Sequence, residues 1–263
     1  MEAFVGQLNG IIWSSALIYL CLGSGLYFSL RTRFLQVRHF RHMLKLMRAG
    51  RSSESGVSPF QALTMSLSGR VGTGNIAGVA TAIAMGGPGA VFWMWMVAFL
   101  GASTAYVEAT LAQIYKEYDD NGEYRGGPAY YIEKAMGQNW YAWLFAAATI
   151  IAVGFCLPGI QANSIVAAME NAWAIPPLAT ALFIAVGVAL IIFGGVKRIA
   201  HFTQIAVPAM AAGYIAIALV VLVVNIDQFP GVIKLIISSA FDMEAGFGAI
   251  IGMAVQWGVK RGI

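Results

Sequence analysis

Five long runs of this sequence carry no charged residue: Ala3 to Leu30, Val71 to Val107, Trp140 to Met169, Asn171 to Val196 and Phe202 to Ile226. Each exceeds the roughly 20 residues that take a helix across about 30 Å of hydrocarbon. A single soluble core cannot house five such runs, whereas a bilayer can. Apolar and polar residues do not alternate within them, so the period of two required by a membrane β-barrel is missing. Lipid offers no partner to an unpaired backbone N–H or C=O, which leaves helices as the spanning structure. Composition agrees: 59% of residues are hydrophobic and 11% charged, against about 45–50% and about 25% in an ordinary soluble domain. The expected fold class is an all-α membrane protein.

Spans are expected near residues 9–30, 58–85, 89–113, 140–160, 177–196 and 202–225, with a seventh beginning near Ala245. The first run lacks a basic leader and is too long for a cleavable signal peptide, so it is read as a spanning helix. Arg31, Arg33, Arg38, Arg41, Lys45, Arg48, Arg51, Lys116, Arg125, Lys134, Lys197 and Arg198 fall on one side of these spans. Only Lys234 falls in a loop on the other. The positive-inside rule then places the N-terminus outside a cytoplasmic (inner) membrane. The net charge of +4 is therefore a topology signal, and nucleic acid is not implied. Cys21 and Cys156 lie in apolar runs, where a thiol acts as a small hydrophobe and implies no disulfide.

Between the first two spans, Phe34, Val37, Phe40, Leu44 and Met47 recur at helical spacing, with Arg38, Arg41, Lys45 and Arg48 on another face. This predicts an interfacial helix over residues 33–49, held by apolar burial and anionic lipid. It reads as a topology anchor or as a lipid-sensing arm.

The segment 58–89, SPFQALTMSLSGRVGTGNIAGVATAIAMGGPG, is a poor continuous helix. Gly69, Gly72, Gly74 and Gly78 crowd its middle, each costing about 1 kcal/mol of helix propensity against Ala. Arg70, Thr73 and Asn75 lie among them. A break there frees carbonyls for a cation and aims a half-helix N-terminus at a carboxylate. Thr73, Asn75 and the backbone around Gly72 to Gly74 could then hold a zwitterion and its coupling ion. The alternative is that Gly74-x-x-x-Gly78 serves tight helix packing. Both readings stay open on the residues alone.

Gln161 and Asn163 follow Pro158-Gly159, a position where proline can kink a helix. Gln161 either reaches the pathway or bonds a neighbouring helix. Glu108, late in the third span, reads as a snorkelled or paired carboxylate, and Arg70 as a structural or gating charge. The glycine spacing fits no dinucleotide or phosphate loop. His39, His42 and His201 have no cysteine or acidic cluster beside them, so no transition-metal site is expected. No carboxylate pair, zinc cluster or activated nucleophile supports an intramembrane enzyme.

The stretch from Gly56 to Glu117, followed by NGEYRGGPAYYIEKAMG and later by Gln161-Ala-Asn163 and Gly258-Val-Lys260-Arg261-Gly262, resembles the alanine or glycine:cation symporters, also called sodium:alanine symporters. The resemblance implies a leucine-transporter-type fold of two inverted five-helix repeats with broken first and sixth core helices. Mapped here, a leading helix (9–30) precedes the first repeat (58–225), and residues 245–263 begin the second, stopping within the sixth core helix. By that pattern Thr73, Gly74, Asn75 and Gln161 would line the amino-acid site. Gly72, Thr73 and Asn75 are the candidate cation positions. Lys260 and Arg261 would sit at the second break.

The implied function is sodium-coupled symport of alanine or glycine, with no covalent chemistry and no cofactor beyond the coupling sodium. No Asp or Glu is central in a span, which weighs against proton coupling. Family members continue into a second set of helices, so the alternative expectation is a truncated fragment that does not transport. Neither oligomeric state nor preferred amino acid can be read from these residues.

Overall fold

The computed structural model describes residues 14–48, 57–120, 122, 124–241 and 249–262, with the isolated residues 7, 10 and 12. The beginning of the leading span, Arg51 and residues 245–248 lie outside the described residues. In chain order, α1 is Ser15–Arg31, α2 Leu35–Arg38, α3 Phe40–Arg48, α4 Pro59–Ser68, α5 Ala77–Gly86 and α6 Gly89–Ile114. A short antiparallel hairpin, β1 (Glu117–Tyr118) and β2 (Tyr124–Arg125), leads to α7 (Pro128–Met136). Then follow α8 (Asn139–Thr149), a π-helical segment (Ile150–Cys156), α9 (Leu157–Trp173), α10 (Pro177–Ile192), α11 (Gly195–Val224), α12 (Phe229–Phe241) and α13 (Ala249–Gly262).

Among the described residues, three helices are long and apolar enough to cross a membrane: α6, the continuous run Asn139–Trp173, and α11. Two shorter apolar helices, α1 and α10, accompany them. Their outward residues are large and greasy: Trp143 is 77% exposed, Phe183 81% and Val224 76%. Apolar surface on this scale is stable only against lipid or further protein.

The structure corrects several sequence expectations. Residues 140–160 do not form a span with a loop behind it; the helix runs on to Trp173. Only residues 174–176 connect it to α10, and Ala174 makes the reversal in a left-handed conformation, φ 54°. Pro158 lacks an N–H and its ring crowds the carbonyl four residues back, at Gly154. The wider π turns over Ile150–Cys156 absorb that conflict without ending the helix. The helix of the sixth span begins earlier than expected, at Gly195, so that Lys197 and Arg198 lie in its first turn and not in a loop. The amphipathic stretch 33–49 is divided at His39 into α2 and α3, entered through Arg33 and Phe34 at φ 54° and 50°. No strand was expected at residues 117–125, where β1 and β2 pair.

The chain divides into two units, Met1–His42 with Gly74–Val107 and Ile215–Ile263, and Met43–Thr73 with Glu108–Tyr214. In the first, α13 packs against α5, α12 and α1. Ile18, Val97 and Val259 form its apolar kernel, flanked by Leu22 and Val255. Backbones approach closely there through small residues. A Cβ added at Gly258 would lie 2.6 Å from the Ala90 carbonyl oxygen, and one at Gly89 would lie 2.5 Å from that of Ser239. Such contacts let dispersion act between helices that gain nothing from excluding water. Buried Ser29 donates to Ser103 Oγ at 3.0 Å, and Ser103 Oγ lies 3.0 Å from the Gly25 carbonyl and 2.7 Å from that of Leu100.

In the second unit, α7 packs on α8 through Ile132 and Ala142, and α9 packs on α10. The hairpin is tied by an Arg125–Asp119 ion pair at 3.0 Å and a Lys134–Glu117 ion pair. The Tyr118 and Tyr124 hydroxyls bond each other, and Lys116 Nζ lies 4.0 Å over the Tyr124 ring.

Candidate functional site

Helix α4 starts sharply because Ser58 and Gln61 form a reciprocal cap. Ser58 Oγ accepts the Gln61 N–H at 3.2 Å, Gln61 Oε1 accepts the Ser58 N–H at 3.0 Å, and Pro59 takes the first helical position. Ten residues later it ends. The Arg70 and Val71 N–H groups still reach the Leu67 carbonyl, at 3.0 and 2.9 Å, and the helical ladder then stops. Thr73–Asn75 form a single 3₁₀ turn, and α5 begins at Ala77. Residues 58–86 are thus two ten-residue helices with a gap, and each is too short to cross a bilayer alone. A gap of this kind takes the last carbonyls of one helix and the first N–H groups of the next out of intrahelical pairing.

Gln161, on α9, is held at the gap. Its Oε1 accepts both the Thr73 N–H and the Thr73 hydroxyl, each at 3.1 Å. The carboxamide also lies against Gly72: a Cβ added there would sit 2.8 Å from Gln161 Nε2 and 3.1 Å from Oε1. Glycine at 72 is what lets the amide come this close. Gly72, Thr73 and Gln161 are all half-buried, so this polar knot is partly withdrawn from solvent. Its donor and acceptor set suits a carboxylate, an ammonium group or a hard cation.

The remaining candidates are distributed as follows. Gly74 and Asn75 complete the 3₁₀ turn and are exposed. Among the described residues, Gly74 has nothing within 4 Å of an added Cβ, and Gly78 meets only the Arg261 side chain, at ordinary van der Waals distance of 3.8 Å. The pair therefore does not make the close approach that a packing motif at these two positions requires. Arg70 is exposed and forms no ion pair among the described residues. Glu108, exposed on α6, faces Tyr131. Burial, followed by the Glu108 charge and then Tyr141, raises the Tyr131 phenol above its ordinary value. Lys260 and Arg261 lie in the last turn of α13, which is helical to Gly262, with Arg261 over the Trp257 ring at 5.9 Å. Among the described residues no cluster of His, Cys, Asp and Glu could hold a metal ion.

Long apolar helices with exposed apolar flanks, together with two short helices separated by a polar gap, define a multi-pass α-helical membrane protein. The chain belongs to the sodium:alanine symporter family, which matches residues 1–263. That is a family of transporters and not of enzymes. The chain is 59% identical to YrbD of Bacillus subtilis (strain 168) over 263 residues, covering 100% of this chain and 54% of YrbD. It is 42% identical to the sodium/alanine symporter AgcS of Methanococcus maripaludis over 268 residues, covering 99% of this chain and 59% of AgcS. It is 49% identical to the sodium/proton-dependent alanine carrier protein of Bacillus sp. (strain PS3) over 223 residues, 84% of this chain and 49% of that carrier. The chain thus spans about half the length of the relatives it matches.

Proposed function

We propose that this chain forms the first half of a sodium-coupled symporter for a small neutral amino acid, alanine or glycine, in the cytoplasmic membrane. The observation that carries the reading is the gap between α4 and α5 with Gln161 bonded to Thr73 within it. The fold is proposed to be of the leucine-transporter type, with the gap in its first core helix and α13 opening the second repeat. The N-terminus lies outside, because Lys116, Arg125, Lys134, Lys197, Arg198 and the basic residues after α1 then share the cytoplasmic side.

Thr73, Gly74, Asn75 and Gln161 line the amino-acid site, and the backbone at Gly72 with Thr73 and Asn75 offers oxygens to the cation. Hard cations prefer such neutral carbonyl and hydroxyl oxygens. Cation and zwitterion favour each other because the ion's charge offsets that of the substrate carboxylate, and the coupling is reciprocal. Rocking of one helix bundle about the fixed site exposes it alternately to each side. Arg70 and Glu108 act as gating or structural charges. The names of all three relatives include sodium, and those of YrbD and the PS3 carrier also include the proton, which makes sodium the first candidate ion and the proton the second.

Labelled-alanine uptake into proteoliposomes tests this, using the chain alone and the chain joined to the C-terminal half of a full-length relative. Uptake by the joined protein should need an inward sodium gradient and vanish in Asn75→Ala, while the half-length chain stays inactive. Uptake indifferent to sodium, or full activity in Asn75→Ala, refutes the mechanism.

A further inference from the structure

Where α10 turns into α11, a groove of about 290 Å³ is lined by Ile191, Arg198, His201, Phe202, Ile205 and Ala206. The α11 residues recur every three or four positions and so share one face. The turn itself is shaped for the arginine. Gly195 reverses the chain at φ 72°, and a Cβ added at Gly194 would lie 2.6 Å from Arg198 Cβ and 2.8 Å from Cγ. The bare glycine thus lets the arginine stem lie back over the turn. His201 Nδ1 is 2.7 Å from the Gln204 side-chain nitrogen. With Nδ1 engaged there, Nε2 is the ring nitrogen that remains for a ligand.

The groove is therefore cationic and hydrogen-bond-donating at one end and apolar at the other. From Asn171 to Val224 the sequence contains no Asp or Glu, so Arg198 has no acidic neighbour on either helix. Next to it, Phe193 is 89% exposed and Val196 53%, and Ile205, within the groove, is 62% exposed. They continue the apolar surface of a helix long enough to span a membrane.

We infer that this groove seats an anionic phospholipid, its phosphate on Arg198 and His201 and the start of an acyl chain against Ile191, Phe202, Ile205 and Ala206. A volume near 290 Å³ takes a phosphate, a glycerol and the first methylenes, and the remaining chain lies along α11. Free phosphate would leave the apolar half unfilled, and a choline ammonium would find no carboxylate here. The orientation proposed above puts this end of α11 in the cytoplasmic leaflet, but the groove's chemistry does not depend on that.

Lipid retention by the purified full chain, read by native mass spectrometry with added phosphatidylglycerol or phosphatidylcholine, provides the test and needs no transport activity. Phosphatidylglycerol should bind about tenfold more tightly, and Arg198→Gln should weaken it about fivefold, as expected for one basic group near anionic headgroups. Arg198→Lys should retain most of the binding. Ala206→Trp, which fills the apolar half and leaves the charges, should also weaken phosphatidylglycerol, and millimolar inorganic phosphate should not displace it. Equal retention of the two lipids, or phosphatidylglycerol binding untouched by both Arg198→Gln and Ala206→Trp, overturns the inference. Displacement by inorganic phosphate does so as well.

Discussion

Replacing Gly72 by Ala probes the gap at its tightest point. The new Cβ would stand 2.8 Å from Gln161 Nε2 and 3.1 Å from Oε1, inside van der Waals contact. Because the obstructed atoms are the far end of a flexible side chain, the amide swings away and little steric strain remains. What is lost is the pair of hydrogen bonds to Thr73, each 3.1 Å long. At about 1 kcal/mol apiece, the Thr73 turn is destabilised by about 2 kcal/mol, less the few tenths that Ala restores by stiffening the unfolded chain. A loss of that size raises the rate of local opening roughly 20-fold. Amide hydrogen exchange at Thr73, followed by mass spectrometry on the peptide spanning residues 69–80, reads it directly. Gln161→Ala should produce the same acceleration. The two changes should also fail to add, because in Gln161→Ala the methyl at 72 has nothing to displace. Additive effects, or unaltered exchange at Thr73 in either variant, would show that Gln161 does not hold the turn.

Two further outcomes follow from the packing and the ionisation. Gly89→Ala drives a Cβ to 2.5 Å from the Ser239 carbonyl oxygen and 2.7 Å from the Ala240 nitrogen. Both are backbone atoms that cannot step aside, so the thermal melting of the detergent-solubilised protein should fall by the equivalent of about 1–3 kcal/mol. Tyr131 has its folded-state phenol raised from 10.0 by burial and then by the Glu108 charge. Its contribution to stability is therefore complete below that value and lost as pH rises through the elevated one. Ultraviolet titration should show a tyrosine ionising late, and Tyr131→Phe should remove it; Glu108→Gln should bring it earlier.

Much of this architecture is written in the residues, but unevenly. Charge-free runs announce the apolar helices because burial of a bare charge in lipid is costly wherever it occurs along the chain. The interruption falls where Gly69, Gly72 and Gly74 accumulate, since helix propensity is a local quantity. The family, too, could be recognised from the stretch around residues 56–137. The approach of Gln161 to Thr73 is different in kind: resemblance named both residues, yet the bond between them depends on how α9 is rotated. Rotation is decided in the π turns before Leu157, and proline alone signals a disturbance without saying whether the helix ends or widens. Likewise Ser29, Ser103 and Gly25 meet across distant parts of the chain, and polar residues in apolar runs do not reveal their partners. The division of α2 from α3 at His39 had no signal at all, because their apolar spacing continues across the interruption.

The π-helical segment Ile150–Cys156 also works as a phase adjuster. In an α-helix each residue advances the face by about 100°, and a π turn accommodates a residue more than an α turn would. Drawing these seven residues back into α turns without deleting any would therefore leave α8 in place while turning everything beyond it by roughly a quarter revolution. Gln161 would then point away from Thr73 although no residue near the gap had changed. The azimuth of Gln161 is set two helical turns upstream, in a stretch of purely apolar residues.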